Sequence, residues 1–405
     1  MSSLTIGQPK YDKYELGDFK LQSNAVLPDA WIAYKTFGSP DAPAILYPSW
    51  YSGAIADNEW LIGEDKALNP KKYYIIITAL FGNGESISPS NSKVSPFPDV
   101  TVYDNVRAQH QLLTQKLGVR HLRCVTGWSM GAAQSYQWAT QYPDFMDICV
   151  PFCGSARTSI HNQVFLEGVK SALLAAKGSS SAGSTFGRLE AKGSENRTWT
   201  DEERKVGLKA FGRGYAGWGF SQAFYRERLH EKAYGAKDLE DFMVSFWEKW
   251  ALSKDPENLL VMLHTWQAGD VSLQEPYNGD FEKAMASIKA KTLVLPSKTD
   301  LYFPPEDSAY EVKSMTPGVG ELDVYPSIWG HWAGGPPGNM EDVEWLDVRL
   351  KKLLDTAPKL AMGTDTGQRK AKQFATPSSV ETDAYWEQVS PLLVGGLPQE
   401  AGFVL

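Results

Sequence analysis

The stretch Val125-Thr126-Gly127-Trp128-Ser129-Met130-Gly131-Ala132-Ala133, "VTGWSMGAA", places a serine two residues from a glycine on either side. A G-x-S-x-G pattern is short enough to arise by chance, so its meaning rests on its flanks. Upstream, "HLRCVTG" (121–127) predicts a short strand. Downstream, "SMGAAQSYQWATQYP" (129–143) favours a helix until Pro143 stops it. Strand, sharp turn and helix form the context in which a serine is held as a nucleophile at the top of a sheet. Gly127 and Gly131 leave the room such a turn needs, and Ala132 and Ala133 let the helix lie close to the sheet. The positive end of that helix would sit beneath an oxyanion formed at the serine.

The chain around this motif alternates strand and helix signals. Strands are predicted at 28–38, 42–50 and 71–80, where "KKYYIIITAL" is a β-branched run suited to burial on both faces. "TVYDNVRAQHQLLTQKLG" (101–118) carries an apolar stripe and closes on Gly118, predicting a helix. Further strands are predicted at 147–154, 290–300 and 320–331, and a helix near 340–355. Strands separated by helices imply right-handed crossovers and a mostly parallel sheet. The rhythm breaks after about 156: a Gly/Ser-rich stretch (175–187) reads as a loop, and 201–268 reads as helical and rich in Trp, Phe and Tyr. The expected organisation is an α/β core over 1–157 and 285–358, a helical lid over 158–284, and a C-terminal extension over 359–405.

A serine needs a histidine base, and that base needs an orienting carboxylate. In this architecture the order along the chain is Ser, then Asp or Glu, then His. Of the six histidines, only His331 follows a late strand, in the loop "SIWGHWAGG". His110 and His121 precede the serine, and His161, His230 and His264 fall in the insertion. "TLVLPSKTD" delivers Asp300 to the end of the preceding strand. The expected triad is therefore Ser129, Asp300 and His331. Two backbone N–H donors should meet the developing charge. One is that of Met130; the other comes from the loop "YPSWYSGAIADNEW" (47–60), through Tyr51 or Trp50, with Tyr51 preferred.

Composition bounds the partners. The 405 residues carry a formal net charge of −8, which gives no basic field for nucleic acid. No run of 18 apolar residues predicts a membrane span, and the first 19 residues lack the pattern of a signal peptide. Cys124, Cys149 and Cys153 form an odd set without a C-x-x-C pair and read as buried, reduced thiols, so a cytoplasmic setting is expected. No metal-ligand cluster and no phosphate-binding glycine loop is visible, so no metal or cofactor is expected.

With these residues in place the chain resembles the α/β-hydrolase superfamily, and within it the homoserine O-acetyltransferase family. The resemblance runs over roughly 30–355, through "LIGEDKALNPKKYYIIITALFGNGES", the segment from "FPDVTVYDNVRAQH" to "QYPDFM" that contains the serine motif, "SKTDLYFPPED" and "WGH". It implies an α/β-hydrolase fold, a helical lid, an acyl-enzyme intermediate, and a homodimer through the lid helices. The departures are specific. The acetyltransferases carry G-G-S-M-G-G at the turn, and this chain has Gly127-Trp128-Ser129-Met130-Gly131-Ala132. They carry H-D where this chain has His331-Trp332, and H-A-L-T-G where it has Ser49-Trp50-Tyr51-Ser52-Gly53. Their lid arginine for the amino-acid carboxylate has no clear match in "GWGFSQAFYRERLHEKAYG"; Arg213, Arg226 and Arg228 are candidates for that part but read rather as exposed helix arginines. Trp50, Trp128 and Trp332 are expected to line the substrate pocket, which suits an apolar ester better than homoserine.

Three readings follow. The first is a serine hydrolase acting on a small-molecule ester. The second is an O-acyltransferase in which an alcohol or amine replaces water, with acetyl-CoA or another acyl donor as co-substrate. The third is a non-catalytic binding module on the same scaffold, against which the intact Ser, Asp and His argue. Lyase or cyclase chemistry on the scaffold completes the set.

Overall fold

Eight strands form one sheet in the order β1-β2-β4-β3-β5-β6-β7-β8. They are β1 (Asp12–Lys20), β2 (Val26–Phe37), β3 (Ala44–Pro48), β4 (Tyr74–Thr78), β5 (Leu122–Trp128), β6 (Met146–Phe152), β7 (Lys291–Val294) and β8 (Gly320–Leu322). The pairs β1/β2 and β2/β4 are antiparallel, and every pair from β4/β3 to β7/β8 is parallel. The computed structural model describes residues 11–177, 198–335 and 339–359. The extension expected over 359–405 lies outside these residues from 360 on, as does the expected Gly/Ser-rich loop from 178 on.

Strand burial follows from the layers. Every residue of β3, β4, β5 and β6 is buried, as expected for parallel strands covered on both faces. Alternation along each strand divides the core. Leu46, Ile76, Val125 and Cys149 face one layer with helices α1 (Val102–Gln111) and α2 (Met130–Gln141). Their neighbours Ile45, Tyr47, Ile75, Ile77, Cys124 and Ile148 face the other, with Leu346, Leu350 and Leu354 of the C-terminal helix (Met340–Thr356). β1 is absent from the expected strands. Its residues are mostly exposed at the sheet edge, so its apolar signal is weak. β8 is shorter than the predicted 320–331, because the chain leaves the sheet at Leu322 and carries His331 on a single 3₁₀ turn.

The helices of the insertion are α3 (Ile160–Ala176), α4 (Asp201–Gly219), α5 (Gln222–Arg226), α6 (Leu229–Lys232), α7 (Leu239–Phe242), α8 (Lys249–Leu252), α9 (Pro256–Gln267) and α10 (Phe281–Ala286). They are followed by α11 (Pro305–Ser314) and α12, the C-terminal helix already given. The stretch 201–268 is thus helical but divided, with the 19-residue α4 and the 12-residue α9 separated by shorter turns of helix. Its aromatic residues make a third apolar cluster that includes Tyr51 and Met130 from the core. Among the described residues no helix is long and apolar enough to cross a membrane.

Strand order locates the site. The chain runs from β3 outward to β4, then returns to place β5 on the other side of β3. The crevice beyond the carboxyl ends of such strands is where open α/β sheets bind ligands. The loop after β3 and the turn after β5 meet there.

Candidate active site

Ser129 stands between the last residue of β5 and the first of α2, at φ 57° and ψ −123°. A non-glycine residue there carries on the order of 1–3 kcal/mol of strain and needs surroundings that enforce it. Three glycines make the room. A Cβ on Gly127 would lie 2.4 Å from the Gly131 carbonyl carbon, and one on Gly131 would lie 2.7 Å from the Pro48 oxygen. A Cβ on Gly154, just beyond β6, would lie 2.5 Å from the Ser129 oxygen. Gly154 was not among the expected site residues, since no motif joins it to the serine. The Ser129 N–H donates to Phe152 O at 3.1 Å, which ties the turn to β6.

The structure brings Ser129, Asp300 and His331 into one hydrogen-bonded chain. Nε2 of His331 lies 2.9 Å from Ser129 Oγ, and Nδ1 lies 2.8 Å from Asp300 Oδ2. The second carboxylate oxygen accepts the Tyr302 N–H at 2.8 Å and the Phe303 N–H at 3.2 Å. Asp300 is thereby held from both sides. With Nδ1–H donated to the carboxylate, Nε2 is left to accept the serine proton. All three residues are buried, so their interactions act in a medium of low dielectric.

Trp50 and Trp128, expected to line the substrate pocket, are both buried in the core. Trp128 is 2% exposed and belongs to the core layer on the α12 side, together with Trp50. Its indole stacks on the His331 imidazole with centroids 4.7 Å apart at 24°. Its Nε1–H donates to the His331 carbonyl at 3.1 Å. Trp50 packs edge-on against Trp128 at 5.0 Å. Alternation along β5 turns the side chain of residue 128 toward the α12 layer, behind the histidine. Trp332 instead meets the lid, 5.0 Å from Phe220 and 5.4 Å from Trp247.

The loop after β3 lies against the serine turn. Gln134 Nε2 donates to Ser49 O at 2.7 Å and to Met130 O at 3.2 Å. The backbone N–H groups of Trp50, Tyr51 and Met130 find no acceptor among the described residues. Above them, the Tyr51 ring stacks on Tyr215 at 5.9 Å and meets Trp266 at 5.6 Å, while Tyr302 stands edge-on to His331 at 4.7 Å. Burial holds the hydroxyls of Tyr51, Tyr215 and Tyr302 well above the usual tyrosine range, so they are neutral donors. Tyr302 Oη and Trp266 Nε1 are buried without a partner among the described residues. These aromatic residues were visible in the sequence only as a surplus; which of them face the site depends on how the helices between β6 and β7 seat.

The other histidines have local partners. His121 lies 2.8 Å from Asp147, His110 stacks on Tyr142 at 4.1 Å, and His161 packs near Trp218 at 5.0 Å. Of the lid arginines, Arg213 pairs with Glu240 and Glu248, and Arg228 with Glu231.

A family description for the alpha/beta hydrolase fold matches residues 52–334. A probable esterase of Corynebacterium glutamicum is 35% identical over 360 residues, which cover 86% of this chain and 97% of that protein. An ethyl acetate hydrolase of Pseudomonas veronii is 35% identical over 354 residues, covering 85% and 96%. The solved structure of an acetylester hydrolase from Corynebacterium glutamicum superposes with a TM-score of 0.77 at 32% identity, covering 85% of this chain and 96% of that one. More distant matches include a homoserine O-acetyltransferase of Nostoc punctiforme, 28% identical over 351 residues, covering 80% and 91%.

Proposed function

The chain belongs to the α/β-hydrolase fold family, and from that premise we propose that it hydrolyses a small-molecule ester through an acyl-enzyme on Ser129. The observation that carries this is the relay from Asp300 Oδ2 through His331 to Ser129 Oγ, at 2.8 and 2.9 Å. His331 Nε2 takes the hydroxyl proton as Oγ bonds to the acyl carbon. The carbonyl electrons move onto oxygen, where the N–H groups of Met130 and Tyr51 receive the charge. The C–O bond to the alcohol then breaks, and His331 returns its proton to the leaving oxygen. Water enters with the same histidine as base, the acid departs, and Ser129 regains its proton. Nucleophile, base and charge acceptors all belong to the chain, so the cycle calls for no metal or organic cofactor.

The relatives of known name support a short acyl ester as substrate. The acyltransferase reading rests on the more distant acetyltransferase relatives. The pairing of Arg213 and Arg228 with lid carboxylates weighs against an amino-acid acceptor. A homodimer through the lid helices belongs to the same proposal, supported by exposed Ile160 and Val164 on α3 and Val206 on α4; sedimentation that returns only monomer would remove it. Three unpaired, buried thiols suit a reducing compartment such as the cytoplasm.

A fluorophosphonate probe should label the wild-type chain and leave Ser129→Ala unlabelled. Hydrolysis of p-nitrophenyl acetate without an added acceptor should fall by about 10⁴-fold or more in that variant. Equal labelling of both chains would sink the assignment of Ser129. Product that forms only when an acyl-CoA meets an alcohol would favour transfer over hydrolysis.

A further inference from the structure

The loop that carries the Tyr51 N–H is strained and is held partly by the lid. Residues Trp50–Gly53 form a turn closed by Gly53 N–H to Trp50 O at 3.0 Å. Its third residue, Ser52, has φ 60°, where a turn of this kind ordinarily takes glycine or asparagine. A conformation of that cost persists only when neighbouring groups enforce it.

Four side chains do so. Gln134 donates to Ser49 O at 2.7 Å, and Asn83 Nδ2 donates to Gly53 O at 3.1 Å. Both come from the core. The other two reach across to the lid: Tyr51 Oη donates to Leu259 O on α9 at 3.2 Å, and Lys254 Nζ donates to Ser52 O at 2.9 Å. Lys254 lies between α8 and α9, half-buried, and its ammonium is the one charged donor of the four. Charged donors make the stronger bonds. Asp57 and Glu85 both act on the lysine's charge. Each also accepts a backbone N–H just downstream in the same loop: Asp57 from Ala54 at 2.8 Å, Glu85 from Ile55 at 2.7 Å. The lysine and the two carboxylates thus bracket residues 52–55. Burial lowers the lysine pKa, and the two carboxylates oppose that shift.

We propose that Lys254 is a positioning residue: its bond to the Ser52 carbonyl sets the turn that aims the Tyr51 N–H at the reacting carbonyl oxygen, so that the lid completes the oxyanion site. The proposal rests on the reading of Ser129 as nucleophile and Tyr51 as charge acceptor. Lys254 itself touches no substrate atom. A misaimed N–H weakens transition-state stabilisation and leaves ground-state binding largely untouched.

The test compares wild type with Lys254→Met, which keeps the apolar stem, and Lys254→Arg, which keeps a charged donor; Lys254→Gln serves where the Met variant does not accumulate as soluble protein. kcat for p-nitrophenyl acetate is expressed per fluorophosphonate-labelled site, so misfolded chains do not count. The expected result is a loss of about tenfold or more in kcat per site and a parallel loss in the rate constant of phosphonylation. KM should stay within about twofold, and the Arg variant should recover to within about threefold of wild type. Values for Lys254→Met within about twofold of wild type, or a loss seen only as fewer labelled sites, would overturn the proposal. Absence of labelling at Ser129 in the wild type would remove the reading beneath it.

Discussion

Trp128 fills the position where a homoserine acetyltransferase has glycine, and its indole lies against the histidine. One face of the imidazole meets the indole, and the backbone of the same histidine accepts the indole N–H. Trp128→Phe keeps a ring on that face and deletes the donor. A net hydrogen bond of about 1 kcal/mol corresponds to roughly fivefold in rate if it is expressed in the transition state. The variant should therefore lose about fivefold in kcat per labelled site, and an unchanged value would show that the indole packs without positioning. Ser129, Asp300 and His331 were expected together from the sequence because the proposed chemistry admits few residue types; Ser129 directly follows β5, while Asp300 and His331 lie in the loops after β7 and β8. The use of Trp128 was not. Which way a side chain leaves the end of a strand is a property of the layer it meets, and the layer is built by α12, more than 200 residues downstream.

At the scale of elements, α11 is pinned to α2 and to the loop after β6 by one buried carboxyl. Glu311 Oε2 accepts from Tyr136 Oη on α2 at 2.7 Å, and Oε1 accepts the Ala156 N–H at 2.6 Å. Burial is the main cause that pushes this carboxyl up from 4.5 to about 8. The folded chain therefore keeps a proton that the unfolded chain has already released. Its contribution to stability is complete below about pH 4.5 and drains away as pH rises toward 8. Glu311→Gln keeps an acceptor for the Ala156 N–H and turns an amide N–H toward the Tyr136 hydroxyl oxygen in place of the carboxyl acceptor, without an ionisable group. Its melting temperature should match wild type near pH 5 and exceed it by several degrees at pH 8. A gap that stays flat across this range would mean that the buried carboxyl is not protonated. In the sequence Glu311 belongs to "PEDSAYEVKS" and looks like any polar helix position. Strands β3 to β6 were legible because two-sided burial favours apolar runs, broken in β5 and β6 by Arg123 and Asp147, which pair with each other. β1 was not, since an exposed edge strand carries charge, and β8 was overextended because the apolar residues beyond it belong to the loop that presents His331.

Across the whole molecule, the site depends on contacts between residues far apart in the chain. Ser129 and His331 are separated by 202 positions, and so are Ser52 and Lys254. The sequence by itself determined the alternation of strands and helices and the run of helices between β6 and β7, and it carries the order of serine, aspartate and histidine that the proposed chemistry uses. Those features are local, because backbone periodicity, glycine spacing and the end of an apolar run are written within a few residues of where they act. Only the tertiary structure decided that β5 returns to lie beside β3, so that the turn at Ser129 and the loop at Tyr51 share one crevice. It also decided that Trp128 backs the histidine and that a lid lysine reaches a strained core turn. These are choices among side chains that look equivalent in sequence. They are settled by which faces the apolar layers cover, and that is a sum over the whole core.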